Sequence, residues 1–272
     1  MKLSVSIWSV HNKIMAGQMD NLDFIRFCHK NGVKYVELSD QLINHQEDEI
    51  KNLLIQLGMQ VSSYSISNDF TKAISGGRES QVKYVLDSID NAVSFGAKFI
   101  RVFCGNGSEG IDFYTAKKWV VESFNAVASY AEEKGITLVI ENIGVFMGSS
   151  SQVKAVIEEV GSQALRSNAD IANFLGTLEN PVQALENLKD YIGFVHFKDF
   201  TEVDRSAEGY ASIDGRKYQG TVLGKGQVPM KKCIIFLSEI GYNGFLSIEY
   251  EGIGDEIDDT IESIKYSKSI MC

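Results

Sequence analysis

The stretch Ile136-Thr137-Leu138-Val139-Ile140-Glu141 is a short apolar run that ends on a carboxylate. A segment with helical spacing of apolar residues precedes it, and Gly135 separates the two. A run of this kind is typical of a strand buried in a parallel sheet. A charge at the carboxyl end of such a strand is unfavourable unless something compensates it, so Glu141 is a candidate functional residue.

Eight stretches of this kind alternate with helical segments along the chain. The predicted strands span residues 3–9, 34–39, 60–66, 98–103, 136–141, 165–170, 193–199 and 245–250. Strict alternation predicts a parallel sheet with right-handed crossovers, and eight strands is the number that closes a barrel. We therefore predict an α/β fold, a single (β/α)8 TIM barrel domain over residues 1–272. An open doubly wound sheet is the alternative.

The composition agrees with one domain of this class. The chain has 272 residues, 44% of them hydrophobic, and only two prolines. A formal net charge of −10 argues against a nucleic-acid or anionic-membrane surface. No apolar stretch approaches the roughly 20 residues that cross a bilayer, and we expect no signal peptide. The four cysteines lack paired spacing, which favours free thiols and a cytoplasmic location.

Four predicted strands end on polar side chains in the second half of the chain. These residues are Glu141, Asp170, His196 and Glu249. The carboxyl ends of barrel strands form the face where active sites of this fold lie, so the four should converge. Three carboxylates and one imidazole favour one divalent ion, with Mn²⁺, Mg²⁺ or Co²⁺ preferred and Zn²⁺ possible. The alternative is a set of unrelated rim charges paired with basic residues such as Arg101 or Lys198.

Other polar residues are candidates for substrate binding. Lys198 shares its strand face with His196 and could bind a substrate oxygen, carboxylate or phosphate; a salt bridge to Asp170 or Asp199 is the alternative. His11 follows the first strand and could reach the cavity rim or be solvated. Glu37 ends the second strand and could contact a hydroxyl or pair with a neighbouring base.

The connection over residues 200–226 is longer than usual for a βα loop and lies on the catalytic side. It is expected to act as a lid or as a contact in a homo-oligomer. Arg205 within it could close over a substrate or be exposed. Gly224-Lys225-Gly226 could present backbone N–H groups to an anion, or form a tight turn into the next helix.

Several segments resemble a known family. The segments are Val139-Ile140-Glu141-Asn142, Val195-His196-Phe197-Lys198-Asp199 and Gly241-Tyr242-Asn243-Gly244-Phe245-Leu246-Ser247-Ile248-Glu249. They resemble the sugar phosphate isomerase/epimerase family, which has a xylose isomerase-like TIM barrel. The resemblance implies a divalent metal held by the four strand-end residues, with Glu141 and Glu249 as the acid/base pair. It also implies isomerisation or epimerisation of a ketose, aldose or related polyol derivative through an enediolate.

The chain departs from the family pattern at Asn173. Members that epimerise free ketoses tend to carry a histidine there, three residues after the sixth-strand aspartate. Asparagine can hydrogen-bond a substrate oxygen but cannot titrate, so a different substrate is compatible with the sequence.

Three other functions compete with an isomerase. A lyase of the same scaffold, an inosose or dehydroshikimate-type dehydratase, would begin with the same proton abstraction. A barrel that binds a polyol without turnover would not require two glutamate bases. The related apurinic endonuclease needs more histidines than the four here, which are His11, His29, His45 and His196. A small sugar or polyol is therefore the expected partner.

Overall fold

The described part of the chain comprises residues 1–43, 47–74, 76–107, 110–144 and 146–271 of a computed structural model. Eleven strands lie in these ranges. They are β1 (Lys2–Ser6), β2 (Tyr35–Ser39), β3 (Gln60–Ser65), β4 (Phe99–Val102), β5 (Thr137–Glu141), β6 (Leu165–Asp170), β7 (Ile192–Phe197), β8 (Asp199–Val203), β9 (Tyr210–Ala211), β10 (Lys217–Thr221) and β11 (Phe245–Ile248).

Eight of these strands close into a parallel barrel in the order β1-β11-β7-β6-β5-β4-β3-β2. The closure joins the first and last strands in register, with Lys2 opposite Phe245 and Val5 opposite Ile248. The predicted TIM barrel is therefore confirmed. The open doubly wound sheet is excluded, because such a sheet leaves two edges unpaired.

A helix follows each barrel strand, as the apolar spacing predicts. The helices are α1 (His11–Met15), α2 (Asn21–Lys30), α3 (Glu47–Leu57), α4 (Gly77–Ser94), α5 (Phe113–Lys134), α6 (Ser150–Val160), α7 (Pro181–Leu188), α8 (Met230–Glu239) and α9 (Glu256–Ile270). Local sequence explains their ends. Asn180 caps α7 by accepting hydrogen bonds from the N–H groups of Val182 and Gln183. Gly135 ends α5 with a φ of +67°.

The barrel interior changes character from bottom to top. Aromatic rings of Phe99, Phe194 and Phe245 close the lower end, with ring centroids 5.7 to 6.1 Å apart. Above them the interior is polar, and the His196 ring lies 6.0 Å from the Phe194 ring. The strands therefore carry a closed apolar floor and a polar upper layer, which positions charged side chains at the carboxyl ends.

The connection over residues 200–226 contains structure that the sequence prediction lacked. Strands β8, β10 and β9 form an antiparallel sheet above the barrel, with Asp199 opposite Thr221. The overlooked signal is Asp214-Gly215, a pair typical of a hairpin turn, and Gly215 has a φ of +80°. This sheet contacts the barrel loops, because Gly144 N donates to Tyr210 Oη at 2.8 Å.

The cysteines and helices bear on two further expectations. Cys28, Cys104 and Cys233 are buried free thiols, while Cys272 lies outside the described residues. His45 lies outside them as well. In the ranges given above, every helix is too short or too polar to span a bilayer.

Candidate metal centre

The four predicted ligands converge at the carboxyl end of the barrel. One ligand atom from each residue lies within 4.8 Å of the others, and all four residues are buried; they are Glu141, Asp170, His196 and Glu249. His196 Nδ1 lies 3.4 Å from Glu249 Oε2, 3.6 Å from Glu141 Oε2 and 3.9 Å from Asp170 Oδ2. Donor atoms bound to one ion at about 2.1 Å are at most about 4.2 Å apart. The three distances from His196 Nδ1 to the carboxylate oxygens are therefore compatible with a shared ion.

His196 is oriented by a carboxylate beneath it. Its Nε2 lies 3.1 Å from both oxygens of Glu37, and Ser247 and Ser65 also donate hydrogen bonds to that carboxylate. A carboxylate only accepts, so Nε2 is the protonated nitrogen and Nδ1 faces the other ligands. Among the described residues Nδ1 has no hydrogen-bond partner. Such an orphaned nitrogen beside three carboxylates fits a metal ligand.

This position corrects the expectation that Glu37 contacts a substrate hydroxyl. The residue has no exposed surface, and both of its oxygens already accept hydrogen bonds. The second interpretation, pairing with a neighbouring base, matches the structure. Glu37 therefore positions His196.

Asp170 is aimed by its neighbours along the chain. Its Oδ1 accepts hydrogen bonds from the N–H groups of Ala172 and Asn173 at 2.9 and 3.0 Å. The side chain of Asn142 also holds the backbone of Asp170 on both sides, at 2.8 and 3.0 Å. Oδ2 is left to face the centre, because Oδ1 is fully engaged.

Two buried cations lie between the carboxylates. Lys198 Nζ is 2.8 Å from Asp170 Oδ2, 2.9 Å from Glu249 Oε2 and 2.8 Å from Glu251 Oε2. Arg101 Nε is 3.1 Å from Glu141 Oε2. The strand-end acids therefore do form ion pairs with Arg101 and Lys198. They are nevertheless not unrelated rim charges, because both cations lie inside the same cluster.

These charges shift the pKa values of the cluster. Burial disfavours the imidazolium of His196, but the charges of Glu249, Glu37 and Glu141 outweigh it and raise the pKa well above its usual range. Burial raises the pKa of Asp170 to about 7, against the opposing charge of Lys198. Burial would also raise the pKa of Glu249, yet His196 and Lys198 hold it well below the ordinary value.

A cavity of about 120 Å³ opens above the cluster. Its lining includes Glu141, Glu249, Arg101 and Lys198 together with Trp8 and Glu251 at the mouth. Trp8 Nε1 donates to Glu251 Oε1 at 2.7 Å. A second cavity of about 280 Å³ shares Ser67, Phe103 and Ile143 with the first. The two together provide space beside the cluster for a small polar molecule.

The remaining predicted residues take different positions. Asn173 Nδ2 donates to Glu141 Oε1 at 3.1 Å, so it belongs to the cluster. The His11 ring stacks on the Trp8 ring at 4.6 Å and lies behind it, outside the lining of the cavity. Arg205 is exposed on the turn between β8 and β9. The expectations that His11 and Arg205 contact substrate gain no support from these positions.

The Gly224-Lys225-Gly226 segment binds an anion that belongs to the protein itself. The N–H groups of Gly224 and Gly226 both donate to Asp199 Oδ2 at 2.9 Å, and Val228 N donates to Oδ1 at 3.0 Å. Lys225 N also donates to the carbonyl of Val222 at 3.0 Å, so the segment forms the tight turn of the alternative interpretation, and Asp199 occupies the N–H groups that were considered for a bound anion.

Sequence reasoning did not propose Arg101 or Glu251 as site residues. A signal existed for each. Arg101 is a charge between Ile100 and Val102 in a predicted strand, and Glu251 shares the strand face of Glu249.

The chain is similar in sequence to several proteins. It is 24% identical over 252 residues to the inosose dehydratase of Yersinia enterocolitica, with 80% of each protein covered. It is 23% identical over 189 residues to the uncharacterized protein MJ1311 of Methanocaldococcus jannaschii, and that match spans 66% of the chain and 60% of the archaeal protein.

Solved structures share the fold. The IOLI protein with a bound zinc atom superimposes with a TM-score of 0.82 at 15% identity, covering 100% of this chain and 98% of that one. D-psicose 3-epimerase in the presence of D-fructose gives a TM-score of 0.76 at 15% identity, covering 100% and 99%. The family model described as xylose isomerase-like TIM barrel matches residues 25–270. The chain therefore belongs to the xylose isomerase-like TIM barrel family.

Proposed function

We propose that this protein is a divalent-metal-dependent isomerase or epimerase that moves a proton next to the carbonyl of a keto sugar, aldose or related polyol. The observation that carries the proposal is the approach of four ligand atoms to within 4.8 Å at the active-site face of the barrel. Glu141, Asp170, Glu249 and Nδ1 of His196 would hold the ion. A bound ion of this kind polarises a carbonyl oxygen and stabilises the negative charge that develops on it.

Glu141 and Glu249 are the groups proposed to move the proton. Both line the cavity, and each is held by different partners. Glu141 contacts Arg101 and Asn173, whereas Glu249 accepts a hydrogen bond from Lys198. Two carboxylates positioned independently around one substrate could remove a proton at one position and return it at another.

The named relatives support this class of chemistry, since one neighbour in structure is D-psicose 3-epimerase. A dehydratase is the second candidate, because the inosose dehydratase of Yersinia enterocolitica matches 80% of the chain. Both reactions begin with removal of a proton beside a carbonyl, so the four ligands do not separate them.

Deuterium exchange tests the proposal and separates the candidates. Protein loaded with Mn²⁺, Mg²⁺, Co²⁺ or Zn²⁺ is incubated in D₂O with a panel of ketoses and with inosose, and products are followed by NMR. Deuterium in recovered sugar supports an isomerase or epimerase, whereas loss of water from inosose supports the dehydratase. Absence of both reactions with every metal would refute the proposal.

Matched variants separate catalysis from binding. Glu141→Gln and Glu249→Gln should each abolish exchange while ligand binding persists, because the amide cannot act as a base. Glu133→Gln, an exposed change on α5, should leave exchange unaffected. Full exchange in either active-site variant would instead favour a barrel in which these glutamates have no catalytic role.

A further inference from the structure

The cations that line the metal-site cavity are already neutralised by the protein. Lys198 Nζ has three carboxylate partners within 2.9 Å. Arg101 pairs with Glu141 and also donates through Nη1 to the carbonyl of Ile66 at 2.8 Å. A phosphate or carboxylate on a substrate would have to compete with these fixed acids for either cation.

The charge balance of the cluster is negative. Five carboxylates meet at or directly below it, and they are Glu37, Glu141, Asp170, Glu249 and Glu251. Against them are the two side-chain cations named above, so a divalent ion still leaves one negative charge in excess when His196 is neutral. An additional anion would enter a region that already carries its own sign.

The two cavities that share lining residues with the metal-site cavity have no cation among their described lining residues. In the cavity that shares Ser67 with the site, Asp69 is the one charged residue among the described residues of the lining. On the other side Glu251 also borders a cavity of about 350 Å³, whose other charged lining residue is Glu208. The residues outside the described ranges include no lysine or arginine. A substrate extended in either direction would thus meet only neutral or acidic groups of these linings.

From these observations we infer that the site takes an uncharged keto sugar or keto polyol and rejects phosphorylated and carboxylated analogues, with Glu251 as the specificity-determining residue. The inference rests on the function proposed above and adds the charge of the substrate. Glu251 is suited to this role by its position at the mouth, where its side chain is 34% exposed. Its two oxygens are fixed by Trp8 and Lys198 and keep lone pairs to accept from substrate hydroxyls.

Matched pairs of ligands test the inference on metal-loaded protein. D-Fructose is compared with D-fructose 6-phosphate, and inosose with 3-dehydroshikimate. Dissociation constants are measured by calorimetry, and deuterium exchange is measured separately by NMR. The uncharged member of at least one pair should bind about tenfold more tightly or better than its anionic partner, because like charges at a binding site oppose association.

The variant Glu251→Gln should reduce this preference about tenfold. The amide oxygen can still accept from Trp8, while the negative charge is removed. Glu202→Gln is the matched control, since it makes the same change of net charge on an exposed residue of β8 that lines none of these three cavities. This control should keep the preference of the unmodified protein.

The outcomes distinguish this inference from the proposed function. Exchange confined to the anionic members, or equal binding within both pairs, would overturn the inference and leave metal-dependent proton transfer standing. Tighter binding of the uncharged members without exchange or loss of water would support selectivity but refute the catalytic proposal. An unchanged preference for uncharged ligands in Glu251→Gln would show that this residue does not determine the selectivity. Absence of binding by both members of both pairs would overturn the inference altogether.

Discussion

His196 Nε2 lies 3.1 Å from both carboxylate oxygens of Glu37, and the two residues come from β7 and β2 on separate sides of the barrel. The contact fixes which nitrogen of the ring faces the proposed ion. In metal sites such a carboxylate orients the imidazole and raises its basicity.

Replacement of Glu37 should therefore weaken metal binding without removing a ligand. Glu37→Gln is expected to lower the affinity about 10- to 100-fold, because the charge that stabilises the ring orientation is lost. Calorimetric titration of the metal-free protein measures the change. Glu133→Gln serves as the control on an exposed surface. Equal affinity in Glu37→Gln and the unmodified protein would show that the contact has no role in binding the ion.

Removal of Lys198 should destabilise the metal-free protein more than the metal-loaded protein. Lys198→Met leaves Asp170 and Glu249 without their nearest cation, and loss of one partner from a buried ion pair typically costs about 3–5 kcal/mol of unfolding free energy. A divalent ion should restore much of this loss, because it brings positive charge to the same carboxylates. Chemical denaturation with and without Mn²⁺ measures the unfolding free energy of the variant in the metal-loaded and the metal-free state.

The control for this variant is Lys83→Met, which breaks an exposed pair with Asp87 and should change the unfolding free energy by less than about 0.5 kcal/mol. A loss in Lys198→Met that metal fails to reduce would contradict the expected compensation.

Metal affinity should decrease with falling pH throughout the range in which His196 is protonated, and more steeply below about 7, where Asp170 is protonated as well. Burial raises the pKa of Asp170 to about 7, and neighbouring acids raise that of His196 despite its burial, so both groups hold protons in the metal-free protein at lower pH. An ion must displace those protons, and each displaced proton lowers the affinity by about tenfold per pH unit. Titrations between pH 5.5 and 8, in buffers of different ionisation enthalpy, count the protons released. Affinity independent of pH would contradict this assignment.

Asp199 should be a determinant of stability. Its carboxylate accepts hydrogen bonds from the N–H groups of Phe200, Gly224, Gly226 and Val228. Asp199→Ala leaves these four donors without their acceptor, those of Phe200 and Val228 in buried residues, and we expect a loss of about 2–4 kcal/mol in unfolding free energy. Denaturant unfolding measures it against Asp204→Ala, an exposed substitution that should cost less than about 1 kcal/mol. Equal losses in both variants would disagree with this interpretation.

The strand order and the converging ligands could be predicted because they depend on local pattern. Alternation along one strand places Lys198 beside His196 and Glu251 beside Glu249, whatever the rest of the chain does. Closure of the barrel then brings the strand ends to one face.

Contacts between distant strands could not be predicted in this way. The pairing of Glu37 on β2 with His196 on β7 depends on register and inclination across the barrel, which no local pattern encodes. The interpretation of Glu37 therefore remained open between substrate contact and pairing with a base. Strands β8 to β10 were missed for a simpler reason, because their short polar segments carry little apolar periodicity.

The small antiparallel sheet has an evolutionary consequence. The sheet begins at Asp199, one residue after Lys198. The chain leaves it at Gly224 and Gly226, whose N–H groups donate to Asp199, so both ends of the sheet are fixed while its turns are free to vary. Insertions, deletions or exchanges between these anchors would remodel the neighbouring cavity that Glu251 borders and leave the ligand-bearing strands intact. Relatives with one inherited chemistry could diverge in preference through this module alone.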